Sequence, residues 1–144
     1  MKKLFIVANW KMNGDKRFNE QLMRYINEQV FKNSNLEVII CPPFTYLAQI
    51  LELKISCIKI GAQNISEKKD GAFTGEISAT MIKSCGCSLV ELGHAERFKY
   101  FNEQLSFVNR KIILALQYKL IPLICIGEKK IEKNFTIRKK LIKK

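Results

Sequence analysis

The residues best placed for chemistry in this 144-residue chain stand in two short segments. Asn9-Trp10-Lys11-Met12-Asn13-Gly14 follows an apolar run at 4–8, and Gly93-His94-Ala95-Glu96-Arg97 follows another that ends at Leu92. A lysine, an imidazole and carboxamides around one cavity suit a small anionic substrate whose carbonyl must be polarised. Lys11 would supply positive charge for a phosphate and a developing oxyanion, and His94 a hydrogen bond to an enediolate oxygen. Each residue alone has a plainer reading: a solvated loop lysine, a structural histidine, a helix-start salt bridge for Glu96 and Arg97. His94 is the single histidine of the chain. The chemistry depends on whether the fold brings the two segments together.

Apolar runs alternate with amphipathic stretches along the whole sequence. Residues 4–8 predict a first buried strand, and 15–31 a helix with Phe18, Leu22, Tyr25, Ile26 and Val30 on its inner stripe. A second strand at 36–41 is stopped by Pro42-Pro43, and a short helix follows at 45–53. The third strand is expected at 56–61, before a polar loop containing Gly71 and Gly75. Ser78 then N-caps a helix that ends at Gly86. The fourth strand covers 87–92, and His94 opens a helical turn. Asn102 caps a helix through Tyr118 with Leu105, Val108, Ile112, Ala115 and Leu116 facing inward, and a fifth strand at 123–127 follows Pro122.

This β-α order repeats five times, so the fold class is α/β with a parallel sheet covered by helices. Parallel strands would collect Asn9, Lys11, Gln63, Asn64, His94, Glu96, Arg97 and Glu128 at one end of the sheet, where loops gather functional groups. Spacing alone does not separate an open sheet from a closed barrel. No G-x-G-x-x-G follows the first strand and no Walker A loop is present, which disfavours nucleotide folds.

Composition narrows the class further. At 47% hydrophobic residues the chain can bury a core, and disorder is excluded. No apolar run approaches the roughly 20 residues of a membrane span, and the N-terminal run is too short for a signal peptide. Five cysteines without zinc or thioredoxin spacing point to reduced thiols in a cytoplasmic protein, with no metal. The net charge of +12 is uneven: residues 129–144 carry eight cations against Glu132. Two segments follow, 1–128 and a Lys-rich tail at 129–144, the latter either a stunted fifth helix with Phe135, Ile137, Leu141 and Ile142 as a weak stripe or sequence read after a gene lesion, since its lysine content fits both. Of the 25 cations 20 are lysine, whereas bidentate recognition of phosphates and bases favours arginine. A basic nucleic-acid-binding module is therefore the least favoured reading.

Six motifs together carry a resemblance. Asn9-Trp10-Lys11-Met12-Asn13, Cys41-Pro42-Pro43, Gly61-Ala62-Gln63-Asn64, Gly71-Ala72-Phe73-Thr74-Gly75-Glu76, Leu92-Gly93-His94-Ala95-Glu96-Arg97 and Cys125-Ile126-Gly127-Glu128 resemble triosephosphate isomerase in order and spacing over 1–128. The resemblance implies a (β/α)₈ TIM barrel that interconverts dihydroxyacetone phosphate and glyceraldehyde 3-phosphate through an enediolate, in glycolysis and gluconeogenesis. It implies no cofactor, a phosphorylated triose as substrate, and a homodimer. By motif, Lys11 is the electrostatic and phosphate-side residue, and Asn9 orients substrate and lysine. His94 is the neutral electrophile, this family being itself the standard illustration of a histidine kept neutral by a helix N-terminus. Glu96 supports Lys11, and Thr74 reaches into the neighbouring subunit. Ala95 departs from the family's usual serine.

Family barrels run to about 250 residues, and the resemblance here covers only about the first five β/α units. The later strands and the glutamate base have no counterpart, and general-base catalysis is typically worth ~10²–10⁴-fold. Glu96 and Glu128 stand nearby, but both have structural places in the pattern. The expectations are therefore an isomerase-family chain with the half-site Asn9, Lys11 and His94, or a truncated, catalytically dead remnant or complementing half. The first and fifth strands are expected to be open edges, with part of the barrel-facing surface exposed.

Overall fold

The computed structural model of the chain describes residues 4–31 and 35–127. The elements are β1 (Leu4–Asn9), α1 (Lys16–Phe31), β2 (Leu36–Cys41), α2 (Phe44–Glu52), β3 (Ile58–Ala62), α3 (Ala79–Cys85), β4 (Leu89–Leu92), α4 (Ala95–Tyr100), α5 (Leu105–Gln117) and β5 (Ile121–Ile124). The strands form one parallel sheet in the order β1-β2-β3-β4-β5. This is part of a TIM-type barrel wall, with each strand delivered to its neighbour by a helical crossover.

Strand alternation divides the sheet into two faces. Val38, Ile40, Ile58, Ile60, Ala62, Val90 and Leu92 pack with Met23, Leu47, Ile50, Ile82, Val108 and Ala115 in the main core under the helices. The opposite face holds a smaller cluster of Ile39, Cys41 and Leu89, with Leu123 against it. Gly61 lies between Cys41 and Leu89 on that face. A Cβ there would stand 2.3 Å from Leu89 Cδ1 and 3.0 Å from Cys41 Sγ, so only glycine fits without displacing the layer.

Curvature is legible in one hydrogen bond. A flat sheet would hold β1 and β4 about 14 Å apart, three strand spacings. Yet Asn9 Nδ2 donates to Glu91 Oε2 at 2.7 Å, across the face that β2 and β3 floor. The sheet must curl toward that side for the two side chains to meet.

Several expectations are corrected. β1 is not buried: Leu4, Phe5, Ile6 and Val7 are all exposed, because β1 has a single strand neighbour among the described residues. Ile121 and Ile124 of β5 are exposed on the other flank for the same reason, as an open-edged sheet requires. The inner stripe of α1 is Asn19, Met23, Ile26 and Val30. Phe18 and Tyr25 each precede a core position by one residue, about 100° round the helix, and lie in solvent. The stretch after β4 holds two helices rather than a turn and one helix. Asn102, at φ 51, is the left-handed link between them, and Gln104 rather than Asn102 is the N-cap of α5. On α5, Val108 and Ala115 are buried as expected, but Leu105 and Leu116 are exposed and Lys111 is buried.

β5 starts earlier than expected and contains Pro122. The N–H groups of Ile121 and Cys125 donate to Ser88 and Leu92 carbonyls of the β4 side, so the even-numbered positions face outward. The ring nitrogen of Pro122, which has no hydrogen to give, therefore points to the open flank and costs β5 no ladder bond. Ser78 and Gly86 close α3 as expected: Ser78 Oγ accepts from Met81 N at 3.2 Å, and Gly86 adopts φ 101. No helix among the described residues is long and apolar enough to cross a membrane. The 129–144 tail and Glu128 lie outside the described residues.

Candidate active site

The first segment is shaped by the end of β1. Trp10 N still donates to Cys41 O at 3.0 Å, after which the chain turns sharply at Lys11, φ 54. A left-handed lysine is strained unless its surroundings hold it. Here Lys11 N donates to Asn9 Oδ1 at 2.7 Å, and Gln63 Nε2 donates to Lys11 O at 2.9 Å. Gln63 reaches Cys41 O as well, at 2.8 Å, tying the β3 loop to the β1 loop. Asn13 Nδ2 closes the turn on Trp10 O.

The second segment is shaped by the end of β4. Gly93, at φ 75, reverses the chain, and a Cβ there would press on Cys125 O at 3.3 Å. His94 is the N-cap of α4, with Nδ1 accepting from Glu96 N at 3.3 Å. Nδ1 is also 3.3 Å from Glu96 Oε2. The cap is the better assignment, because a first-turn N–H has no helical acceptor while Lys11 already meets that carboxylate. With Nδ1 accepting, the neutral ring carries its proton on Nε2, the hydrogen-bond donor that carbonyl polarisation requires.

The two segments meet at Glu96. Lys11 Nζ lies 2.5 Å from Glu96 Oε1. That hydrogen bond holds the lysine above its ordinary value and the Glu96 carboxyl below the usual carboxylate range. Both side chains remain half-exposed, so solvent screens the pair and its contribution to stability is small. Its effect is positional: the ammonium stays charged at the mouth of the site.

Beneath them stands Glu91, a residue visible in the sequence only as a polar interruption of an apolar strand. It is 4% exposed. Its Oε2 accepts from Asn9 Nδ2, its Oε1 accepts from Cys125 Sγ at 3.2 Å, and His94 Nε2 lies 3.8 Å from Oε1. The available signal was parity. Leu89 and Glu91 alternate with Val90 and Leu92, so Glu91 must face away from the helices. Burial, reinforced by the adjacent Glu91 charge, pushes both the Cys41 and Cys125 thiols up to about 12.

Other candidates fall elsewhere. Asn64 Oδ1 accepts from Lys111 Nζ at 3.0 Å, and Arg97 Nε donates to Glu103 Oε1 at 3.2 Å. Lys111 also pairs with Glu103, so Asn64 and Arg97 belong to a buried ionic network behind the rim. Thr74 is exposed at the tip of its loop, where Phe73 N donates to Gly71 O and Glu76 N to Phe73 O. The structure thus gathers Asn9, Lys11, Gln63, Glu91, His94 and Glu96, and leaves Thr74, Arg97 and Asn64 outside.

A parallel barrel wall with its polar groups at the carboxyl ends of the strands defines the class: a chain of the (β/α)-barrel fold. The sequence model of triosephosphate isomerase matches residues 4–144. The chain belongs to the triosephosphate isomerase family. It is 44% identical to a triosephosphate isomerase of Alkaliphilus oremlandii over 89% of this chain and 52% of that relative. It is 39% identical to that of Nitrosococcus oceani over 100% of this chain and 58% of the relative. The crystal structure of triosephosphate isomerase from Bartonella henselae superposes with a TM-score of 0.78 at 35% identity, covering 86% of this chain and 52% of that one. The chain thus spans about half the length of the curated relatives it matches.

Proposed function

We propose that the chain supplies the electrophilic and phosphate-facing half of a site that interconverts dihydroxyacetone phosphate and glyceraldehyde 3-phosphate. The observation that carries this reading is the convergence of Lys11 and His94, 83 positions apart in sequence, on one residue, Glu96: the lysine on its carboxylate and the imidazole on its backbone N–H. In the proposed reaction Lys11 neutralises the phosphate and the developing oxyanion. His94 donates its Nε2 hydrogen to the carbonyl and then to the enediolate oxygens. Asn9 fixes the lysine turn, and Glu96 keeps the ammonium in place. No cofactor enters this chemistry. Thr74 is proposed as a contact in a homodimer, and the role proposed for the chain is a cytoplasmic one in glycolysis and gluconeogenesis.

A second reading is favoured by one specific observation. Among the described residues both carboxylates of the rim are engaged, Glu96 with Lys11 and Glu91 with Asn9 and Cys125, which leaves neither poised to take a proton from carbon. On this reading the 144 residues are catalytically silent, with or without a complementing polypeptide. A coupled isomerase assay distinguishes the two, run on the purified chain with and without a polypeptide matching the other half of a relative. Turnover that appears with the complement and is lost in His94→Gln supports the half-site. No turnover in either mixture rejects it.

A further inference from the structure

We infer that Glu91 is the positioning residue of this site, a chord that ties the carboxyl ends of β1, β4 and β5 together and sets the Lys11 turn. The inference rests on the reading of Asn9, Lys11 and His94 as the site, and adds the group that holds them in place. Glu91 reaches Asn9, 82 residues away, across the open face of the sheet, and Cys125, 34 residues away, just past β5. Neither partner belongs to an adjacent helix, so the carboxylate is not a local cap.

The Asn9 carboxamide transmits the constraint. A carboxylate accepts and never donates, so it selects the Nδ2 end of Asn9. That leaves Oδ1 aimed at Lys11 N at 2.7 Å, the bond that sustains the left-handed backbone of Lys11. Were the carboxamide free to flip, its NH₂ would face the Lys11 N–H, two donors without an acceptor. Because a charged acceptor makes the stronger hydrogen bond, the orientation is firm. The same carboxylate lies on the Nε2 side of His94, where its negative charge favours the tautomer with that nitrogen protonated. One buried group thereby orders both the cation and the electrophile.

The single histidine makes this testable by NMR on the ¹⁵N-labelled 144-residue chain, with no need for turnover. Failure of the isomerase reading would thus show in the assay and failure of the chord in the spectra. In Glu91→Leu, hydrogen exchange of the Lys11 amide is expected to rise by about tenfold or more while Ile40 and Val90 amides keep their protection. Glu91→Gln, which retains an acceptor oxygen, is expected to restore most of that protection. It should still move the Asn9 Nδ2 and His94 Nε2 resonances, because the charge is gone. Asn9→Ala should match Glu91→Leu at Lys11, and the double variant should add nothing, as two links of one chain do. Unchanged Lys11 exchange in Glu91→Leu overturns the proposal. So does a loss of protection shared equally by Ile40 and Val90. If Glu91→Leu fails to fold, the other two variants decide. Asn9 and His94 resonances unmoved in Glu91→Gln, or Lys11 exchange unmoved in Asn9→Ala, reject the chord.

Discussion

The carboxyl rim of the sheet and its two lateral flanks are built to opposite standards. At the rim, Asn9, Lys11, Gln63, Glu91, His94 and Glu96 satisfy one another through five backbone and side-chain hydrogen bonds. On the flanks, Phe5 and Val7 of β1 and Ile121 and Ile124 of β5 are exposed, with no outer strand beside them among the described residues. The rim is held by contacts among β1, β3 and β4, all within this chain. The flanks need something more. Site geometry in this fold is thus set by few, long-range polar links, whereas the integrity of the wall depends on closing its edges.

The strongest way to break that contrast is to undermine the rim from behind. Lys111→Met strands the buried Glu103 carboxylate with Arg97 alone, and stability should fall by about 3–5 kcal/mol in denaturant titrations. A loss within the scatter of a surface substitution would mean that the rim has no buried support. A smaller effect is expected from Gly61→Ala, whose new methyl presses on Leu89 and Cys41. About 1–3 kcal/mol should be lost, measured by the same titration, as the inner layer shifts.

Proton linkage gives a milder test. Cys41 and Cys125 hold their protons to about 12 in the folded chain, against 9.0 for the ordinary thiol. As pH rises through 9, unfolded chains lose these protons first, so stability should fall between about pH 9 and 12. Lys11 adds in the same sense: its raised value contributes stability below 10.5 that disappears above it. Glu96 works at the other end, present above 4.5 and lost as acid protonates its depressed carboxyl. Thermal midpoints across pH 3–11 would check these directions, and a rise in stability above pH 9 would contradict them. The smallest change in stability belongs to the flanks. Val7→Lys with Ile121→Lys should alter stability by only about 0.5 kcal/mol or less per site, while gel filtration shifts toward the monomer. A large loss of stability would show that the flanks are already covered.

Much of this was legible in the residues. Strand-then-helix alternation, the Ser78 cap, the Gly86 stop and the pairing of Lys11 with Glu96 all follow from local chemistry and motif. What escaped was set by tertiary context. Phe18 and Tyr25 look like core by hydrophobicity alone. Asn19 and Met23 take that face instead, because the helix is rotated by the elements it packs on. Lys111 resembled a surface residue until Glu103 and Asn64 gave it partners inside. Glu91 was hidden for the opposite reason. A charge in a short apolar strand resembles an irregularity, and only the curl of the sheet brings Asn9 within its reach.

Pro122 carries a consequence for how strangers are refused. The open flank of β1 presents the N–H groups of Phe5, Val7 and Asn9 in unbroken sequence, since its even-numbered residues face β2. The flank of β5 has a missing tooth where the proline sits. Any strand zipping onto it forfeits a hydrogen bond worth about 0.5–1.5 kcal/mol, and runaway stacking of identical chains through that side would repeat the forfeit at every joint. The two borders of the wall are therefore unequal: one accepts most comers, the other asks for a partner whose own pattern skips the same beat.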